Sequence, residues 1–299
     1  MGYLYFFIAL VAGVAKGFCG KKVSLKVSGN RETFIASTFR MAICVVISAC
    51  ILIFMEDYGH IKPQLKLLSI CFLSGIGISS FVVLWLISVK NGSYILLNVF
   101  NMLGVLVPVV LSRIFFSEQI KITQAVGIMV LFIAVVILCS YNNKIKKKLN
   151  FSAVIMLILC GTANGLTDFT QKLFIYELPK IPVSVFNFYT YLFATAILFT
   201  CYLVSFVTAK QKVTLKNSKI VIKNTAVYLA VMSVCLFINA FFKTVSAKYL
   251  SSAVLYPLNQ GLTLICSTII ASTIFKEKLT VKSIIGVFIA IVGVIINVL

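Results

Sequence analysis

The stretch SEQIKITQAVGIMVLFIAVVIL, Ser117 to Leu138, returns near the end of the chain as KEKLTVKSIIGVFIAIVGVIIN, Lys276 to Asn297. The alignment sets Glu118 against Glu277 and Gly127 against Gly286. A second echo opens each half: GVAKG, from Gly13 to Gly17, reappears as GTANG, from Gly161 to Gly165, and sets Lys16 against Asn164. Both carry the small-xxx-small spacing that lets helix backbones approach closely in a membrane. Self-similarity on this scale means a duplicated fold, which divides the chain into repeats over 1–148 and 149–299.

Composition sets the environment. With 61% hydrophobic and 11% charged residues and a mean hydropathy of +1.09, the chain lacks the polar surface of a water-soluble globule. A helix needs about 20 apolar residues to cross the hydrocarbon core. Ten such runs are predicted, over 3–20, 34–55, 66–89, 93–112, 122–141, 151–174, 183–209, 220–247, 251–273 and 280–298. Barrel strands alternate apolar with polar residues, whereas VGIMVLFIAVVIL does not. The fold class is therefore all-α integral membrane. No positive charge precedes the first run, and Phe18 before Cys19 spoils a cleavage site, so it reads as a retained helix. Phe6 stands where a myristoylation signal requires Ser or Thr. The nine cysteines all fall within the predicted helices without Cys-x-x-Cys or metal-ligand spacing, and read as small packing residues.

Five helices per repeat is an odd number, so the second copy enters the membrane upside down relative to the first. Ten transmembrane helices as two inverted five-helix repeats imply a pseudo-two-fold axis in the membrane plane and a site between the halves. The joint between them, NNKIKKKLN from Asn142 to Asn150, is polar and short. An acidic residue before the fifth helix of each repeat with a glycine nine positions on, EQIKITQAVG and EKLTVKSIIG, resembles the EamA-like branch of the drug/metabolite transporter superfamily. The resemblance covers the whole chain. It implies a secondary transporter whose first four helices in each repeat surround a central cavity, with the fifth and tenth peripheral. It implies no particular substrate and leaves a homodimer open.

Other classes lack their signatures. There is no G-x-x-x-x-G-K-[ST] loop, no H-E-x-x-H and no G-x-S-x-G, and the lone histidine, His60, falls in a loop. No enzyme activity, cofactor or metal is expected, and work must come from an ion gradient or solute exchange. The net charge of +20 suits loops lying on anionic lipid rather than nucleic acid. For a multi-pass protein of the plasma (inner) membrane, orientation is read from loop charge. Loops after odd-numbered helices carry about twice the Lys and Arg of the others, which favours both termini outside; the family resemblance favours both inside.

Ionisable groups inside lipid cost at least about 2.5–3.5 kcal/mol and usually face a cavity. Asp168, in GLTDFTQKLF of the sixth helix, is the candidate coupling group, its alternative being an ion pair with Lys172 one turn on. Lys16 sits inside the small-xxx-small motif, where its alternative is snorkelling toward Lys21 and Lys22. Arg40 lies in the second helix, opposite Tyr189 in the repeat, with Thr38 opposite Asn187; its alternative is a long stem reaching out to the interface. Asn98, Asn101 and Pro108 interrupt the fourth helix; Tyr256, Pro257, Asn259 and Gln260 answer in the ninth. Proline breaks are tolerated where the backbone lines a cavity or is buried in protein. Asn239 and Lys243 on the eighth helix and Trp85 on the third complete the candidate substrate site. For each amide the alternative is an interhelical hydrogen bond. Glu118 and Glu277 each precede a helix and are expected to cap it.

These residues point to a secondary transporter working by alternating access on a small anionic or zwitterionic metabolite. Lys16 and Arg40 would attract a carboxylate or phosphate, the amides would orient it, and Asp168 would hold an amine or a coupling proton. The alternative within the class is a transporter of organic cations or drugs that uses Asp168 and the faces of Trp85, Tyr189 and Tyr256. Outside the class stands a membrane scaffold that moves nothing.

Overall fold

The computed structural model describes residues 1–27, 29–91, 94–140, 151–207, 215–276 and 281–299. Among them the chain is eleven α-helices: α1 (Gly2–Ser24), α2 (Asn30–Phe54), α3 (Leu65–Asn91), α4 (Tyr94–Leu103), α5 (Leu106–Phe116), α6 (Ile122–Ser140), α7 (Phe151–Glu177), α8 (Val183–Val207), α9 (Leu215–Ser246), α10 (Ser252–Thr273) and α11 (Val281–Val298). A 3-10 turn, Asp57–His60, joins α2 to α3 and carries the lone histidine at the surface. Eight spans are long and apolar enough to cross a bilayer, one of them running from Leu97 to Phe116 through both α4 and α5. Two shorter apolar helices, Ile122–Ile137 and Ile284–Val298, complete the ten segments expected.

The fourth segment, expected over 93–112 with its interruption at Pro108, is two helices, α4 and α5. It breaks at Gly104 and Val105, four residues before Pro108. Proline has no N–H to offer the carbonyl one turn back, and here that carbonyl belongs to Gly104, the residue least committed to a helix. In α10 the corresponding position before Pro257 is Ala253, and the helix runs through its proline unbroken. The break is buried against α7, where Gly161 and Gly165 leave room for the backbone of α4 and of the turn. A methyl group on Gly161 would fall on the Phe100 carbonyl, and one on Gly165 on the Gly104 carbonyl.

The helix pairings exchange when the halves are exchanged. α1 packs on α9 and its counterpart α7 packs on α3; α2 meets α9 as α8 meets α3; α2 and α8, the second helices of the two repeats, pack on each other. The repeated stretch that opened the chain's reading forms α6 and α11, which also pair. Their contact is close at Gly127, which faces the backbone of Asn297, and at Gly293, which faces Leu131. The Asn297 amide donates to the Gln124 carbonyl at 3.2 Å. The outer faces of α6 and α11, including Met129, Val136, Ile284 and Phe288, are exposed and apolar, as lipid-facing surfaces should be.

Glu118 caps a helix, but not its own. It lies outside α6, and its Oε2 accepts from the backbone N–H of Ser252 at 2.9 Å, the first residue of α10. Its Oε1 pairs with Lys172 at 2.8 Å, and the same ammonium donates to the carbonyls of Ala247 and Leu250, both at 3.1 Å, just past the end of α9. A carboxylate thus meets a helix start and an ammonium a helix end, each placed as the backbone dipole favours. Glu277 lies outside the described residues.

Candidate functional site

One polar cavity lies where α1, α3, α4, α7, α9 and α10 converge, enclosing about 460 Å³ of space between atoms, open water at its mouth included. Eight of the sequence candidates line it: Lys16, Trp85, Asn98, Asn101, Asn239, Lys243, Asn259 and Gln260. The local reasons are visible on each helix. Gly13 and Gly17 keep one face of α1 bare, so that the Asn239 amide lies against Gly13 and the Tyr94 hydroxyl against Gly17. Gly20, one turn on, receives the indole of Trp85. Asn239 is held by donating to the Ala9 carbonyl at 2.7 Å, and Asn98 by donating to the Tyr94 carbonyl at 2.9 Å. Asn101 accepts a weak bond from Cys160 at 3.6 Å, whereas Asn259 keeps its Oδ1 unpartnered among the described residues. Lys16 does not snorkel out: its ammonium stands in the cavity wall, 5.6 Å from the centre of the Phe81 ring.

Five candidates sit elsewhere. Asp168 is buried beneath the cavity, 1% exposed, and its carboxylate pairs with Lys243, not with Lys172 as its sequence neighbourhood suggests. Tyr256 points to the same place and donates from its hydroxyl to the Asp168 carbonyl at 2.6 Å. Arg40, Asn187 and Tyr189 belong to α2 and α8, and neither helix contributes to the cavity wall. The expectation that four helices of each repeat would surround the cavity is therefore corrected to three segments from each. The second segments stand one layer back, because each packs against the other and against α3 or α9.

Four cavity side chains, Tyr94, Asn164, Thr263 and Phe81, escaped the sequence reading. Tyr94, Asn98 and Asn101 fall at i, i+4 and i+7, one helical face, and that spacing would have pointed to Tyr94. Asn164 was legible as the counterpart of Lys16, and Thr263 follows Gln260 and Asn259 by one turn. Phe81 carries no such signal among 25 phenylalanines.

In charge, the site holds Lys16 in the wall and the Lys243–Asp168 pair at its base, so that among the described residues Lys16 faces the cavity without a carboxylate paired to it. Lys16 lies near enough to Lys243, Arg40 and Asp168 for all three to act on its charge. Around that cation the wall offers amide groups and two aromatic faces, Trp85 and Tyr94, set edge to face with centroids 6.1 Å apart.

The sequence matches the model of the EamA-like transporter family twice, over residues 1–140 and 151–299. No curated protein matches it. Among solved structures, 28 chains are similar. One of them, a crystal structure titled only as that of a protein, covers 99% of this chain and 95% of its own with a TM-score of 0.71 at 12% identity, a likeness of fold alone.

Proposed function

Because the chain belongs to the EamA-like transporter family, a family of multi-pass membrane transporters, we propose that it moves a small anionic or zwitterionic metabolite by alternating access. The observation that carries this reading is the cavity itself: a lysine faces it with no carboxylate paired to it among the described residues, and five asparagines and a glutamine line it. The organic-cation reading is less favoured, since the Asp168 carboxylate pairs with Lys243 and, of its three aromatic faces, Tyr189 and Tyr256 lie outside the cavity wall.

Asp168 and Lys243 supply the coupling. A substrate carboxylate or phosphate entering the cavity competes for the Lys243 ammonium, and a carboxylate so released is free to take a proton. The repeats, residues 1–148 and 149–299, rock against each other about the fixed site. The protein lies in the plasma (inner) membrane with both termini outside, as the loop charges favour. Single cysteines at Lys146 or Lys148 in a cysteine-depleted variant should then resist an impermeant thiol reagent in intact cells. Ready labelling there would place both termini inside.

Substrate class is tested by thermal-shift measurements on purified protein against amino acids, sugar phosphates, nucleotides and quaternary amines, since a ligand that prefers the folded state raises stability. An anionic or zwitterionic compound should raise the melting temperature, and Lys16→Gln should remove that rise while leaving the unliganded melt near wild type. A response to quaternary amines alone would overturn the reading.

A further inference from the structure

Arg40 is a buried charge with no carboxylate counter-ion among the described residues. It is 2% exposed, and its Nε and Nη2 have no hydrogen-bond partner among the described residues. The six described carboxylates are engaged or remote: Asp168 with Lys243, Glu118 with Lys172, Glu177 with Lys66, Asp57 with the Ser184 hydroxyl, Glu32 with the backbone N–H of Gly29, and Glu56 exposed beyond the end of α2. Desolvating a guanidinium without a counter-charge is strongly unfavourable. The groups near Arg40 are Cys44 on α2, Tyr191 on α8, Cys235 on α9 and Cys19 on α1.

These neighbours present donors. The Tyr191 hydroxyl is buried and without a partner among the described residues, as is the Ser37 hydroxyl one turn before Arg40 on α2. The Cys44 thiol already points to the Ser233 carbonyl, at 3.5 Å, and so does not compete for the guanidinium. The Tyr191 ring rests 6.3 Å from that of Phe237 on α9, which fixes its place at the junction of α2, α8 and α9. Lys16 adds positive potential from the side of α1.

We propose that Arg40 and Tyr191 form a site for a small inorganic monovalent anion of the halide class, held at the α2, α8 and α9 junction and separate from the substrate cavity. Guanidinium and phenol N–H and O–H groups are the donors such an ion accepts. Arg40 is absent from the lining of the polar cavity, which sets this site apart from the one proposed for the substrate. The site is single, because the repeat places Tyr189 where Arg40 would recur. Its position gives it a role: α2 and α8 belong to opposite repeats, and an anion between them neutralises the charge that would otherwise push their packing apart.

The test uses purified full-length protein in gluconate buffer, titrated at constant ionic strength with chloride or bromide while its melting is followed. A saturable rise in melting temperature is expected. Tyr191→Phe should weaken the apparent halide affinity about tenfold, the worth of a hydrogen bond to a charged group, and Arg40→Gln should abolish the response. Lys16→Gln should leave it intact while losing the substrate response, which separates this site from the cavity. Crystals grown in bromide should show anomalous density beside the guanidinium. Melting that ignores halide, or a halide response unchanged in Tyr191→Phe, overturns the proposal even if Arg40→Gln does not fold. A response lost in Lys16→Gln but kept in Tyr191→Phe assigns the anion to the cavity and overturns it as well.

Discussion

Lys243→Met is expected to be among the most damaging single changes in this protein. It strands the Asp168 carboxylate, 1% exposed, without its cation, and removing one partner of a buried ion pair costs about 3–5 kcal/mol. The loss should appear as a large drop in melting temperature and in recovery of monodisperse protein. Combining it with Asp168→Asn should restore most of the stability, because the pair then disappears as a unit. Transport should not return, since the proposed coupling group is gone. Asp168→Asn alone should fold, leave Lys243 free toward the cavity and tighten anion binding. It should also uncouple uptake from a pH gradient while sparing solute exchange. Lys172→Gln, which removes no partner of Asp168, should leave gradient-driven uptake coupled. A Lys243→Met protein that melts like the wild type would show that the pair is not what holds Asp168 in the interior.

The second large effect is expected at Gly161. Its α-carbon faces the Phe100 carbonyl so closely that a methyl group there would overlap backbone, which cannot rotate away as a side chain can. Overpacking typically costs about 1–3 kcal/mol, and Gly161→Val should exceed Gly161→Ala. Both should lower expression and melting temperature by prying α7 from the broken fourth segment. Gly59→Ala is the control, since nothing lies within 4 Å of the added atom, and it should be neutral. Equal melting of Gly161→Ala and Gly59→Ala would contradict the close approach.

What could be read from the sequence follows from what lipid demands. Backbone polar groups must be satisfied within each segment, so apolar runs such as 66–89 and 251–273 mark helices nearly to their ends. Repetition placed α6 and α11 as equivalents before any contact was known. The fourth segment was half legible: Pro108 announced a disturbance, but its position at Gly104 depended on the glycine and on a gap between Gly161 and Gly165 in another helix. The cavity was legible where polar residues share a helical face, as Asn98 and Asn101 do. Pairings were not. Local spacing offers Asp168 only Lys172, whereas Lys243 lies on a helix distant in sequence, and nothing along the chain reports which faces of α7 and α9 meet. The same holds for Arg40, whose long stem could equally have reached the interface and whose burial, one layer behind the cavity, depends on α2 packing against α8.

The central claim is that the cavity ligand crosses the membrane. Counterflow in proteoliposomes tests it directly: vesicles preloaded with the unlabelled anionic or zwitterionic ligand found by thermal shift should transiently accumulate the labelled form from a dilute exterior, and vesicles carrying Lys16→Gln should not. Tight binding of that ligand with no counterflow above protein-free vesicles would contradict transport and leave a receptor or scaffold in its place.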